Sequence, residues 1–220
     1  MKTFVAVAVL WFSLAATASA QECRLGEAPN VQVGDSHTYR HVQDGKRSVV
    51  TYDVVEVTND SITTRVTTVA GGFPKTRTDK FDRFWNPVEI GGYTYSPKML
   101  SFVFPLEKGK PVPHSMTSHG PDLTNYRVRE TLEVIGCEKI EVAGKIYNAI
   151  KVRIQGSYSA SGSGTDQWSG SRERFLWLDP EVQRFVKSTY RATSPTGGEK
   201  SEMELLGFRL VQREVGATGN

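Results

Sequence analysis

The stretch from residue 138 to residue 191 constrains the fold most, because apolar and polar side chains alternate along it with a period of two. Ile150, Val152 and Ile154 fall on one face of an expected strand, and the residues between them are polar or charged. Such alternation between turn residues is typical of β-strands. The pattern predicts a ladder of strands, with turns at residues 143–145, 161–164 and 179–181.

The N-terminal part of the chain has the same character. Asp44-Gly45 is a dipeptide typical of two-residue hairpin turns, and five valines follow within residues 48–57. Short turns between β-branched strands favour antiparallel pairing. No run of ten residues carries apolar side chains at helical spacing. The sequence therefore predicts an all-β fold, an antiparallel meander that forms an open or half β-barrel.

Residues 86–123 interrupt this pattern. Six of the ten prolines of the chain lie here, together with several large apolar side chains. Proline removes a donor from a strand ladder and is confined to edges and loops. We therefore expect this proline- and aromatic-rich segment to fold across the mouth or the side of the barrel.

Residues 1–20 have the pattern of a secretory signal peptide. Lys2 is followed by an apolar run over residues 4–14 and by the small residues Ala18-Ser19-Ala20. A membrane anchor is the alternative, but an anchor needs about 20 apolar residues. We expect cleavage before Gln21, a single all-β domain over residues 21–220 without a transmembrane segment, and a periplasmic or secreted location.

The charge of the chain is close to balanced. Its formal net charge is +3 at pH 7, and basic and acidic residues are interleaved, as at residues 75–83. A protein that binds nucleic acid normally carries a basic patch or stripe. We therefore expect no nucleic-acid partner.

The two cysteines, Cys23 and Cys137, predict one disulfide, because an even number of cysteines in an exported protein is typical of bridged pairs. The bridge would tie the N-terminal segment to a turn expected before Glu138. Two independent thiols are the alternative. The absence of a CxxC spacing argues against a redox motif.

No catalytic fingerprint stands out in the sequence. It contains neither a GxSxG nor an SxxK motif. His37 and His41 would share a strand face about 13 Å apart, too far for one metal ion, and His114 and His119 lie in the proline-rich segment. Gly162-Ser163-Gly164 is interpreted as a hairpin tip, because no helix is expected after it. We predict no catalytic residue, no cofactor and no metal site.

The large aromatic side chains are the remaining signal. Core packing accounts for many aromatic residues. The functional interpretation is an apolar cavity in the barrel, floored by the 165–191 hairpin and lidded by residues 93–106, of the kind that holds lipid-like ligands. The candidate cavity residues are Trp85, Tyr93, Tyr95, Phe102, Phe104, Trp168, Phe175 and Trp177.

Four segments of the chain are informative together with their order: VGDSHTYR at 33–40, FVFPLEKGKPV at 102–112, EKIEVAGKIYNAIKVR at 138–153 and ERFLWLDPEVQRFVKS at 173–188. Together they resemble a group of uncharacterised exported bacterial proteins. The resemblance implies an all-β, half-barrel-like domain akin to periplasmic carriers of lipidated proteins. No activity is established for that group, so the resemblance implies no catalytic residue. The chain lacks the lipid-attachment cysteine that some members carry.

Three functional hypotheses follow. The first is an exported, non-enzymatic domain that binds an apolar or lipid-like ligand in a cleft. The second is a structural or protein-interaction module of the cell envelope, in which sheet edges bind a strand of a partner protein. The third, with the weakest support from the residues, is an exported hydrolase.

Overall fold

The computed structural model describes residues 28–121, 124–161, 167–195 and 197–211. These residues form twelve β-strands. In chain order the strands are β1 (Ser36–Gln43), β2 (Lys46–Val57), β3 (Ser61–Ala70), β4 (Phe73–Asp82), β5 (Pro87–Ile90), β6 (Tyr93–Ser96), β7 (Val112–His119), β8 (Asn125–Val142), β9 (Lys145–Ser161), β10 (Gln167–Asp179), β11 (Arg184–Ser194) and β12 (Gly197–Arg209).

The strands form a closed antiparallel barrel. Each strand pairs with the strands before and after it, and β1 also pairs with β12. The all-β class and the antiparallel meander are confirmed, but the prediction of an open or half barrel was wrong. Eight residue pairs join β1 to β12, from Ser36–Arg209 to Gln43–Ser201. This pairing of the first and last strands closes the ring of twelve strands.

The tight turns follow the chemistry expected from the sequence. Asp44 and Gly45 have φ values of 47° and 81°, which is the left-handed pair that a type I′ hairpin turn requires. Ala143 and Gly144 form the turn between β8 and β9 in the same region, with φ values of 50° and 78°. The two hairpins β1–β2 and β8–β9 are therefore set by local sequence.

Large apolar side chains fill one half of the barrel, which we call the core half. A first cluster includes Tyr39, Tyr52 and Trp85, and a second cluster includes Phe102 and Leu176. Full burial of an apolar side chain stabilises the fold by about 1.5–3 kcal/mol. The core half also contains the connections around residues 83–86, 97–111 and 180–183.

Residues 86–123 contribute strands β5, β6 and β7 to the barrel wall, whereas the sequence analysis expected this segment to fold across the mouth or the side of the barrel. These strands are short, and β5 and β6 share two residue pairs. Residues 97–111 lie between β6 and β7, and their Phe102 and Leu106 are buried in the second cluster. The apolar side chains of this connection therefore pack with residues of strands β8, β9 and β10.

The side chain of Asn86 holds this connection in place. Its Oδ1 accepts hydrogen bonds from the backbone N–H groups of Ser101 (2.6 Å) and Phe102 (2.9 Å). Its Nδ2 donates to Asp82 Oδ2 and to the carbonyl of Phe102, both at 3.0 Å. One buried amide thus joins the β4–β5 turn to residues 101 and 102.

Cys137 lies in a different local structure from the one that the sequence predicted. The sequence analysis placed a turn before Glu138, whereas Asn125–Val142 is one continuous strand with a bulge between Val134 and Gly136. Cys137 lies within this strand and pairs with Ile150 of β9. Cys23 lies outside the described residues, as do the signal peptide and Gly162-Ser163-Gly164, so the bridge stays a prediction.

Among the residues that the structure describes, there is no helix with the length and hydropathy needed to cross a membrane. The division into residues 1–20 and a single domain over 21–220 stays a prediction.

Candidate functional site

The other half of the barrel, which we call the cavity half, borders a half-open cavity of about 760 Å³. Residues of β1 and of β6 to β12 contribute to its wall, together with Met99. The lining residues are Gln43, Tyr93, Tyr95, Met99, Ser118, Tyr126, Val128, Tyr158, Trp168, Arg172, Tyr190, Ala192, Ser194, Gly197, Gly198 and Glu199. Five tyrosines and one tryptophan are among them, so aromatic rings share the wall with many polar groups.

Strand register explains why these residues share one space. Ser118, Tyr126, Ala160 and Trp168 form one row across β7, β8, β9 and β10. Residues directly opposite one another in a ladder point to the same face of the sheet. The row therefore places Tyr126 and Trp168 on the inner face of the barrel.

Small residues occupy inward positions of the strands in the cavity half. Gly156, Gly170 and Ala192 alternate along their strands with outward residues, where the core half has leucine and isoleucine. A Cβ atom added to Gly156 would lie 2.0 Å from the backbone oxygen of Arg129 on β8. This glycine therefore allows neighbouring strands to approach more closely than a side chain permits.

Tyr126 is at the centre of an aromatic wall. Its ring centroid lies 6.2 Å from that of Tyr93, 6.3 Å from that of Tyr158 and 6.4 Å from that of Trp168. The corresponding interplanar angles are 59°, 52° and 87°. The rings are thus tilted relative to Tyr126, as aromatic side chains prefer.

A buried ion pair lies at the floor of the cavity. Arg172 Nε donates to Glu130 Oε2 at 3.0 Å, and its Nη2 donates to the same oxygen. Gly156 is paired with both residues, so no side chain stands between them. No described donor lies within hydrogen-bond distance of Glu130 Oε1. His114 lies opposite Glu130 on β7, and its buried Nε2 atom also has no hydrogen-bond partner among the described residues.

Arg174 connects the floor of the cavity to the core half. Its Nη2 donates to the carbonyl of Leu100 at 3.0 Å and lies 3.3 Å from Ser101 Oγ. Burial lowers the pKa of this guanidinium, and the neighbouring Arg172 adds to the shift. The expected lid over residues 93–106 therefore takes a different place: β6 is part of the wall, and residues 100 and 101 lie against the floor.

Glu199 supplies a carboxylate to the opposite wall. Gln43 Nε2 donates to its Oε1 at 2.8 Å. Burial raises the pKa of this carboxyl, and the negative charge of Asp44 raises it further. Burial likewise raises the pKa of Tyr190, with a contribution from Glu199 that places these two groups near one another.

The structure brings together three of the eight aromatic candidates. Tyr93, Tyr95 and Trp168 line the cavity. Trp85 and Phe102 are buried in the two core clusters, and Phe104 packs against the second. These three belong to the core half and not to the wall of the cavity.

Phe175 and Trp177 lie on the opposite face of β10 from the cavity residue Arg172, because their positions are odd where the inward positions are even. Lys151 Nζ lies 5.3 Å from the ring centroid of Phe175 and 5.0 Å from that of Trp177. Trp177 Nε1 donates to Glu138. Trp177 is also a buried member of the first core cluster, and Phe175 packs against that cluster, so both lie outside the cavity.

Sequence reasoning missed several lining residues: Tyr126, Tyr158, Arg172, Tyr190 and Glu199. The alternation of the strands could have identified two of them. Even-numbered positions point inward in β9 from residue 150 and in β10 up to residue 178. Following that parity would have added Tyr158 and Arg172 and removed Phe175 and Trp177.

The histidines do not form a metal cluster with other ligands in the part of the chain that the structure describes. His37 is buried in the core half, where its Nε2 lies 2.9 Å from the carbonyl of Val182. Burial, with a contribution from Arg184, lowers the pKa of His37 to about 3.

Comparison with known proteins gives a fold likeness alone. No family model matches the chain, and no curated protein matches it. An exported protein with a YmcC-like fold from Bacteroides fragilis is 11% identical, with a TM-score of 0.47, over 85% of this chain and 100% of that one. The hypothetical lipoprotein YmcC from Escherichia coli is 12% identical, with a TM-score of 0.41, over 80% of this chain and 85% of that one. At these values the likeness bears on neither ligand nor activity.

Proposed function

We propose that the chain is an exported, non-enzymatic binding protein that holds a small ligand with both apolar and polar groups in the cavity half of the barrel. The observation that carries this proposal is the cavity of about 760 Å³ with its five tyrosines and Trp168. Cavities of about 300–1,000 Å³ with aromatic walls and a few polar groups are typical of small-molecule sites. The proposed periplasmic or secreted location is supported by the signal pattern of residues 1–20.

The floor limits the length of the ligand. Arg172, Glu130 and Arg174 form a polar layer between the cavity and the second core cluster. An extended acyl chain would have to cross this layer to enter the core half. The geometry therefore favours a compact lipid-like or aromatic molecule over a long lipid tail.

A non-enzymatic role fits the state of the charged groups. Arg172 is hydrogen-bonded to Glu130, and Glu199 accepts from Gln43. Groups held in this way orient a ligand through fixed dipoles. The pairing of β1 with β12 also argues against the binding of a partner strand at either of these two strands.

Native mass spectrometry of protein purified from its own envelope tests the proposal. We expect an adduct of small-molecule mass on the wild-type chain. Ala192→Phe, which places a large ring in the cavity, should abolish the adduct. Thr193→Phe is the matched control, because Thr193 is the exposed neighbour on the same strand.

A clean apo mass for the wild type, with no rise in melting temperature from a panel of aromatic and short-chain apolar compounds, would contradict the proposal. An adduct that survives in Ala192→Phe would place the ligand elsewhere on the protein. Turnover of the bound compound would contradict the non-enzymatic role.

A further inference from the structure

We propose that the ligand group recognised by this cavity is an organic cation, a primary or quaternary ammonium group. The inference rests on the proposed function, because it names the chemistry of the ligand that the same cavity holds. Three features of the wall carry it: the arrangement of the rings, the balance of charge, and a carboxylate on the side opposite the aromatic wall.

The rings are arranged as walls around a space. The planes of Tyr93, Tyr158 and Trp168 are turned by 52° to 87° from that of Tyr126. One flat ligand cannot stack on rings with such different planes. A compact group surrounded by ring faces can contact several of them at once. Each face carries the negative lobe of a ring quadrupole, which attracts a cation by about 0.5–2 kcal/mol.

The balance of charge differs between the floor and the wall formed by β12. At the floor, Arg172 is paired with Glu130. Glu199 takes part in none of the ion pairs formed by described residues, and its donor is the neutral amide of Gln43. A monovalent cation in the cavity would supply the opposite charge that this carboxylate lacks.

The position of Glu199 fits this role. It belongs to β12, whereas Tyr93 and Tyr95 belong to β6, and these strands are on opposite sides of the ring of twelve. A cation between them meets ring faces on one side and a carboxylate on the other. Because burial disfavours the charged carboxylate, a bound cation would also relieve an existing cost.

The barrel already holds one cation in this manner. The guanidinium of Arg184, buried in the core half, lies 3.8 Å from the ring centroid of Tyr52 and 4.4 Å from that of Trp85. It lies within 5.6 Å of the centroids of five aromatic rings, and none of the ion pairs formed by described residues involves it. Aromatic faces in this fold can thus stabilise a buried positive charge.

A pair of isosteric probes tests the inference on the wild-type protein. Choline and 3,3-dimethylbutan-1-ol have the same shape, but only choline carries a positive charge. Isothermal titration calorimetry should show at least tenfold tighter binding of choline. Equal or tighter binding of the neutral alcohol would overturn the inference while leaving the proposed function intact. Failure of both compounds, together with a clean apo mass, would overturn both proposals.

Two variants assign the preference to the cavity. Glu199→Gln removes the charge and keeps the size of the side chain, so we expect a five- to tenfold loss of choline binding with little change for the alcohol. Glu202→Gln is the control, because Glu202 is a half-buried acid of the same strand that pairs with Lys187. An unchanged ratio of the two affinities in Glu199→Gln would contradict the role given to the carboxylate.

Discussion

Aromatic rings gather in both halves of the barrel, yet they do different things there. In the core half, Tyr39, Tyr52 and Trp85 pack around the Arg184 side chain of the chain itself. In the cavity half, Tyr126 and its neighbours border a cavity. Both halves contain aromatic residues, and they differ in the size of the other side chains that point into the barrel.

Those inward positions are large in one half and small in the other. Ile150, Val152 and Leu176 fill the core half, whereas Gly156 and Gly170 occupy the corresponding face further along the same two strands. Rings in the core half pack against large apolar neighbours, whereas the rings in the cavity half share their wall with Ala192, Gly197 and Gly198. Stability should therefore depend on the core half and ligand binding on the cavity half.

Phe102→Ala should give the largest loss of stability. Phe102 is buried in the second cluster, and truncation of a buried phenylalanine costs about 3–5 kcal/mol. Urea denaturation measures the change. Phe73→Ala is the control, since 78% of Phe73 is exposed at the β3–β4 turn and its loss should leave stability unchanged. Equal effects of the two substitutions on stability would contradict the division of the barrel into a core half and a cavity half.

Asn86→Ala should be the next most damaging change. It removes the oxygen that accepts hydrogen bonds from the backbone N–H groups of Ser101 and Phe102. It also removes the two hydrogen bonds that the Asn86 amide donates. Orphaned buried groups of this kind should lower the free energy of unfolding by roughly 3 kcal/mol. Gln43→Ala, which removes the exposed hydrogen bond to Glu199, should have a much smaller effect in the same assay.

Lowering the pH from 7 to 5 should destabilise the core half through His37. Burial and Arg184 hold the pKa of His37 at about 3 in the folded protein, below its ordinary value of 6.5. The unfolded chain therefore binds a proton in this window and the folded chain does not, so stability is lost as the pH falls. The loss attributable to His37 is about 2 kcal/mol between pH 7 and pH 5.

The pH dependence of unfolding in a His37→Gln variant isolates this contribution. The slope of stability against pH between 7 and 5 should be shallower in the variant than in the wild type. Parallel slopes would show that His37 does not titrate as its burial requires.

Tyr93→Leu should have the smallest effect on stability. Tyr93 is half-buried at the cavity on a four-residue strand, so we expect a change of about 1 kcal/mol or less. Ligand binding, measured by calorimetry, should fall by a much larger factor than stability does. A loss of stability comparable to that of Phe102→Ala would mean that the cavity rings are core residues.

Much of the fold could be predicted from the sequence, because its signals are local. The period-two pattern, the Asp44-Gly45 turn and the Ala143-Gly144 turn each report on a few adjacent residues. Closure of the barrel could not be predicted in this way. The pairs between β1 and β12 join residues about 160 positions apart, and no short pattern specifies them.

The candidate site was predictable only in part. Tyr93, Tyr95 and Trp168 line the cavity, but residue type alone also selected Phe175 and Trp177, which lie on the other face of β10. Strand parity separates these two groups. The ion pair of Arg172 with Glu130 depends on the missing side chain of Gly156 on the strand between them, which only register reveals.

The pairing of β1 with β12 also has a consequence for the order of assembly. Every other neighbouring pair of strands is consecutive in the chain, so each can form as a local hairpin without distant parts of the chain. Tyr39 on β1 needs Phe185 of β11, whose carbonyl accepts its hydroxyl at 2.8 Å, and Leu205 of β12. The first strand is therefore the last to find its final neighbour, and until β12 reaches it the barrel remains a curved sheet with both margins open.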